Sequence, residues 1–427
     1  MKKKLKLLPL LLSVTFLSAQ QTENSINTGE VERIEKVLAA DDMKGRLALS
    51  PAIGRAADFI AAEFKSAGLQ TLTNSDGYLQ NFSMVQSTFI SGAATFDGKR
   101  VDPKNMLVIT TRPDLKIDQR SGFEKVAIKA GSSFLKEAYR YSQAGKNYLV
   151  IVDTGFRAVF PRLTQLKSTL FKSGSSVVFV LATKTPSRFT IRARHKIKEQ
   201  KLANVVGILP GKGKKDEFVI FSGHYDHLGT GKPVDGDSIY NGANDDASGT
   251  TAVILLAKYF KALATNERTL VFVAFTAEES GGFGSQYFSK QFQPEKVMAM
   301  FNIEMIGTES KWGANSAYIT GYEKTDMGQI LQRNLEGTGF TFHPDPYPDQ
   351  QLFYRSDNAR LARQGVPAHT ISTSKMDSEP NYHKVSDQVE TLDLKNMTMI
   401  IKSIALSSGT IVAGSDTPSR VNVGELK

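Results

Sequence analysis

Five short polar clusters in the chain collect the residue types that metal-assisted hydrolysis uses. His224-Tyr225-Asp226-His227 closes the apolar run from Phe218, and Asn244-Asp245-Asp246-Ala247-Ser248 lies in a loop bounded by Gly242 and Gly249. Glu278-Glu279 follows the apolar run from Leu270, Glu304 closes the run from Met298, and Asn381-Tyr382-His383 precedes the last helical pattern. Singly, each has an ordinary reading. Asp245 or Asp246 could be a helix N-cap, paired glutamates are commonly solvated, and one histidine is more often surface or core than ligand. Together they place histidines and carboxylates at the ends of successive apolar runs. That is a donor set for zinc, manganese or cobalt in a nitrogen and oxygen site. Two divalent ions about 3.5–4 Å apart need a bridging carboxylate and terminal ligands for each. One acid must stay uncoordinated to take a proton from water. Adjacent Glu278 and Glu279 can divide those roles, because neighbours just past a strand point in different directions.

The elements that must position these residues read as an α/β fold. Strand patterns lie at Val205 to Leu209, Phe218 to Ser222, Leu270 to Phe275, Met298 to Ile303, Ala317 to Thr320 and Ala368 to Ile371. Helical patterns lie between most of them, as at Gly249 to Leu263 and Thr325 to Glu336. Such alternation predicts a sheet covered on both faces, with ligands bound outside the carboxyl ends of its strands. Residues 30–69 also read as helical, with Gly68 as a stop. Between residues 86 and 200 the pattern changes to short strands: Met106 to Thr110, Val126 to Ala130, Tyr148 to Val152 and Val177 to Leu181. This segment is expected to be a mostly β insert.

Composition sets the outer bounds. The chain has 427 residues, 41% hydrophobic and 22% charged, with no cysteine. These proportions exclude disorder, collagen and a coiled coil. The missing thiols exclude a disulfide scaffold, a thiolate metal site, a cysteine nucleophile and an N-terminal lipid anchor on Cys. Residues 1–19 read as an export signal: Lys2, Lys3, Lys4 and Lys6, then an apolar stretch from Leu7 to Leu17, then small residues for cleavage. The stretch is short of the ~20 residues that span a bilayer. The expected location is therefore secreted or periplasmic, with no membrane span; a retained anchor is the alternative. The domains expected are a signal at 1–19, a first catalytic part at 20–85, the insert at 86–200 and the main part at 201–427.

Charge is uneven. The formal net charge is +10, and loss of the signal's four lysines leaves +6. Residues 86–200 hold 21 Lys/Arg against 8 Asp/Glu, a net +13, so the remainder is −7. A basic insert thus joins an acidic remainder. A solvated surface is the ordinary reading, and attraction to an anionic envelope surface is the functional one. Nucleic-acid binding has no accompanying module to support it.

The five clusters, in this order, resemble the co-catalytic zinc exopeptidases of the twenty-eighth metallopeptidase family (clan MH), typified by bacterial leucyl aminopeptidases. The resemblance covers residues 30–85 and 201–410. It rests on Ser222-Gly-His224-Tyr-Asp226-His, Asn241-Gly-Ala-Asn-Asp245-Asp-Ala-Ser-Gly, Phe275-Thr-Ala-Glu278-Glu279-Ser-Gly, Asn302-Ile-Glu304-Met-Ile-Gly and Asn381-Tyr-His383. It implies a three-layer mixed β-sheet with helices on both faces, of the zinc exopeptidase (phosphorylase/hydrolase-like) kind, with an inserted protease-associated-like domain. It implies two zinc ions, for which manganese or cobalt could substitute, and peptide substrates. Asp245 would bridge the ions, Glu279 and His383 would complete one, and His224 and Glu304 the other. Glu278 would be the general base and Asp226 would orient His224. A bridging water, its pKa lowered from 15.7 toward about 7, would attack the peptide carbonyl. The family usually holds an aspartate where this chain has Glu304, and the added methylene moves the oxygen. His227 reads as packing or support rather than as a ligand, while Arg355, Ser356 and Asp357 are candidates for shaping the pocket. A dipeptidase or carboxypeptidase, a glutaminyl cyclase, and a non-catalytic binding protein using the insert are the other readings.

Overall fold

The computed structural model describes residues 25–73, 75, 77–167 and 170–426. The expected export segment, 1–19, lies outside them. Two compact units result: one from the described residues up to Asn81 together with Leu202 onward, the other Phe82–Lys201. Among the described residues no helix is long and apolar enough to cross a membrane.

In the first unit the apolar runs become strands of one mixed sheet. We label them β1 (Phe189–Leu209, entering this unit at Leu202), β2 (Lys214–His224), β3 (Arg268–Phe275), β4 (Val297–Ile303), β5 (Ser316–Ile319), β6 (Thr341–Pro344) and β7 (Ala368–Ser372). Their order is β6-β5-β7-β4-β2-β3-β1. Strands β3 and β4 run parallel to β2, and β7 runs parallel to β4. At the two sides β1 is antiparallel to β3 and β5 antiparallel to β7.

Side-chain alternation divides the apolar residues between two faces. Val219, Phe221, Phe272 and Phe301 point into one core with Val31, Ile34, Val253, Ile330 and Ile400. These last five come from helices α1 (Thr28–Leu38), α3 (Ser248–Leu263), α4 (Met327–Asn334) and α5 (Leu394–Ser407). Helix α2 (Ile53–Ser66) adds Ile60 and Phe64 to the same core. Ile220, Val271, Val273 and Met300 point the other way, against Phe288 and Leu361 from two short helices, Phe283–Phe288 and Asn358–Ala362. The layers are helix, sheet, helix, as the alternating pattern predicts.

Because β2, β3 and β4 are parallel, their carboxyl ends share one edge. His224 ends β2 opposite Phe275 of β3, and Glu304 follows β4 directly. Helix α3 lies so close to β4 that a Cβ on Gly249 would stand 2.0 Å from the Ile303 carbonyl oxygen. Only glycine permits that approach.

The second unit has strands Met106–Thr110, Ser176–Leu181, Tyr148–Val152 and Glu124–Ile128, adjacent in that order. The last three run parallel, and helix Phe134–Gln143 connects Glu124–Ile128 to Tyr148–Val152. The mostly β pattern thus includes a βαβ crossover, whose helix buries Phe134, Ala138 and Tyr141. The unit has its own core around Leu107, Val150 and Phe179.

At the centre of the first core the ring of Phe221 stacks between Phe272 and Phe301, at 5.5 and 4.9 Å. Phe221→Ala is expected to lower unfolding free energy by about 3–5 kcal/mol, read from urea denaturation. A loss below about 1 kcal/mol would mean this contact does not organise the sheet.

Candidate metal centre

The loop that follows the β2 end is held from three sides. Arg46 is fully buried and pairs with no carboxylate. Its guanidinium donates instead to the carbonyls of Tyr225 and Gly242, both at 2.8 Å, and of Leu38 and Asn241. To reach them the chain takes three successive residues, Lys44, Gly45 and Arg46, through positive φ (52°, 62° and 47°). A Cβ on Gly45 would lie 2.4 Å from the carbonyl oxygens of Gly229 and Tyr240. From the opposite side the Asp387 carboxylate accepts the amides of Asn244 (2.8 Å) and Asp245 (3.0 Å). Third, Asn244 Oδ1 accepts the Gly307 amide and Ser248 Oγ accepts the Ile306 amide, at 2.8 and 3.0 Å. Asp246 accepts the amides of His224, Gly249 and Met305. So the Asp245 loop, the His224 strand end and the Glu304 turn are fastened to one another through main-chain groups.

The result is a carboxylate that faces two ways. Asp245 Oδ1 lies 3.2 Å from His224 Nε2, which lies 4.0 Å from Glu304 Oε1. Asp245 Oδ2 lies 3.2 Å from His383 Nε2, which lies 3.3 Å from Glu279 Oε1. Two groups of donor atoms compact enough to hold an ion follow: His224, Asp245 and Glu304, and Asp245 and Glu279 with His227. His224 Nε2, Glu279 Oε1, Glu304 Oε2 and His227 Nδ1 are buried without hydrogen-bond partners. Buried polar atoms are rarely left so, and divalent cations would satisfy them. The residues present therefore fit a metal pair. The longer Glu304 side chain reaches the His224 group, with no aspartate needed at that position.

His224 Nδ1 faces the Asp226 main-chain carbonyl at 3.1 Å, which leaves Nε2 free to ligate. The Asp226 carboxylate stands farther off, at 3.9 Å, and accepts the Glu278 amide instead. Asp226 therefore orients His224 through its backbone, and its side chain ties β2's end to the acid pair after β3. The acids crowd one another. Burial, helped by the charges of Glu304, Asp357 and Glu279, pushes the Glu278 carboxyl well above its usual range. Burial likewise raises Glu304 to about 7 and Asp226 to about 7. Burial opposes the charge on His383, yet Asp245 and Glu279 lift its imidazole to about 10.

A cavity of about 510 Å³ opens over Asp245, Glu278, Glu279, Glu304 and His383. Met305, Tyr318, Leu352, Met376 and Tyr382 form its apolar walls, and Arg355 and Ser356 also line it. Asp357 is buried rather than lining. His369 is a core residue bonded to Thr320 and Thr325, and His343 stacks on Trp312, so neither joins the site. His195 lies in the other unit, beside Phe89. Sequence reasoning missed Arg46 and Asp387, and set His227 apart from the ligands. Asp387 follows His383 by four residues, a weak local cue; Arg46 sits in a polar run that reads as solvated.

Residues 204–407 match the family model described as Peptidase family M28. A probable leucine aminopeptidase of Trichophyton verrucosum is 29% identical over 204 residues, 45% of this chain and 53% of that protein. A probable zinc metalloprotease of Pyrenophora teres is 35% identical over 108 residues, 25% of this chain and 23% of that protein. The chain thus spans about half the length of the first relative and less of the second. Among solved structures, an aminopeptidase of an Aneurinibacillus species superposes with TM-score 0.54 at 16% identity, covering 95% of this chain and 98% of that one. A peptidase M28 precursor of Shewanella amazonensis gives 0.54 at 15%, covering 96% and 99%. These two likenesses show the fold.

Arg46 lies outside the matched residues, yet it holds both ligand-bearing loops. Arg46→Met would strand four buried carbonyls, at about 1–3 kcal/mol for each left unsatisfied. The metal-free protein is expected to lose at least about 3 kcal/mol in urea unfolding, and Arg46→Lys to recover part of it. A loss under about 1 kcal/mol for Arg46→Met would show that the loops hold themselves.

Proposed function

We propose that this chain, whose residues 204–407 carry a domain of that peptidase family, removes N-terminal residues from peptides at a centre of two zinc ions. The observation that carries the reading is the two-faced Asp245 carboxylate, with a histidine and a glutamate on each side and Glu278 beside them. Zinc, when bound, supplies a Lewis acid for the carbonyl and a lowered pKa for water. His224 and Glu304 would hold one ion, His383 and Glu279 the other, with Asp245 shared.

The chain's own residues supply the rest. Glu278, fixed by its amide bond to Asp226, accepts a proton from the attacking water and passes it to the leaving amine. Its raised affinity for a proton suits a group that must hold one between the two transfers. The carboxylate excess around the cavity favours a cationic α-ammonium group over a free carboxylate, which supports amino- over carboxypeptidase action. The apolar walls, Met305, Tyr318, Leu352 and Met376, would receive the first side chain and exclude water from it. Export to the periplasm or exterior remains part of the proposal, on residues 1–19 alone. So does a separate role for the basic unit in meeting anionic surfaces.

The test is an unbiased peptide mixture incubated with the zinc-loaded chain, its product ends read by mass spectrometry beside Glu278→Gln. Stepwise loss of N-terminal residues is expected. The variant should keep its zinc and its KM but lose about 10²–10⁴-fold in kcat. Loss from the C-terminus, or full activity in the variant, would overturn the reading.

A further inference from the structure

His227 is the one buried imidazole at the centre that the proposed ligand set leaves idle. Its ring is fully buried, packed on the Gly242 backbone, and its amide donates to the Arg46 carbonyl at 3.2 Å. Nδ1 points at the second donor group: it stands 2.9 Å from Glu279 Oε1 and 4.0 Å from Asp245 Oδ2, without a hydrogen-bond partner. Four atoms then surround one point: His227 Nδ1, Asp245 Oδ2, Glu279 Oε1 and His383 Nε2. The separations from His383 are 3.2 and 3.3 Å. Donors around a tetrahedral zinc, with bonds of about 2.0–2.1 Å, stand on the order of 3.3 Å apart. The two His227 separations bracket that value.

We infer that His227 is a fourth protein ligand on the His383 side, so that the two metal sites are unequal. The His383 side is closed by protein atoms, as structural zinc sites are. The His224 side has three, His224 Nε2, Asp245 Oδ1 and Glu304 Oε1, and keeps a position open for water or substrate. The closed site fills first and more tightly. It also fixes the Asp245 carboxylate, so the open site binds onto a carboxylate already held. This rests on the two-zinc reading and assigns its two halves different work.

The test uses the full chain stripped of metal, with zinc and cobalt(II) as probes. Zinc affinities are measured against a chelator of known strength, and the cobalt visible spectrum reports coordination number. The native chain should bind two ions in two separated steps. His227→Ala should weaken the tighter step by at least about 100-fold, beyond what loss of a supporting hydrogen bond to a ligand costs. It should also dim the four-coordinate cobalt band of the first ion, with the weaker step unchanged. His227→Asn, which can still donate to Glu279, should fail to rescue either signal. Native-like affinity and spectrum in His227→Asn would overturn the inference and reduce His227 to a hydrogen-bond donor. Unchanged steps in His227→Ala would overturn it too, while two steps in the native chain would still stand. A native chain that binds one zinc or none would instead sink the two-zinc reading beneath it.

Discussion

One carboxylate must present an oxygen to each of two donor groups, and the first unit is arranged around that demand. A lone aspartate on a free loop would turn toward either side. Here the loop before helix α3 is fixed by main-chain bonds from Asp387, by side chains of Asn244 and Ser248 reaching the turn after β4, and by Arg46 beneath. The parallel run of β2, β3 and β4 brings the other ligands to the same edge without help from long loops. Rigid elements thus hold a site whose donors need placement within a fraction of an ångström.

That placement has an electrostatic cost. Asp226, Asp245, Asp246, Glu304 and Asp357 are buried within reach of one another, and the only buried guanidinium nearby, that of Arg46 among the described residues, bonds to carbonyls rather than to any of them. Carboxylates so crowded either take up protons or gather cations. The raised carboxyls of Glu278 and Glu304 and the protonated His383 are the metal-free answer. Divalent ions would satisfy the same atoms better, which couples metal binding to the order of the whole edge.

Much of this was readable from residue order. Strand ends were legible because parallel strands buried on both faces leave unbroken apolar runs, and each run here stops at a polar pair. The ligand candidates followed, since His224, Glu278 and Glu304 are the residues that stop them. What escaped depends on direction in space. Asp226 is two residues past His224, and sequence could not say that its carbonyl, not its carboxylate, would face the ring. Arg46 lies in Asp41-Asp-Met-Lys-Gly-Arg, a run that looks solvated until three left-handed residues turn its end inward. Helix Phe134–Gln143 was hidden because Lys136 and Glu137 interrupt its apolar residues, although Phe134, Ala138 and Tyr141 share one buried face.

The central claim, that Asp245 bridges two ions, is tested most directly by zinc-edge anomalous scattering from crystals grown with zinc. Two peaks about 3.5–4 Å apart, one on each side of the Asp245 carboxylate, are expected. A single peak, or two peaks of which one does not touch Asp245, would contradict the account.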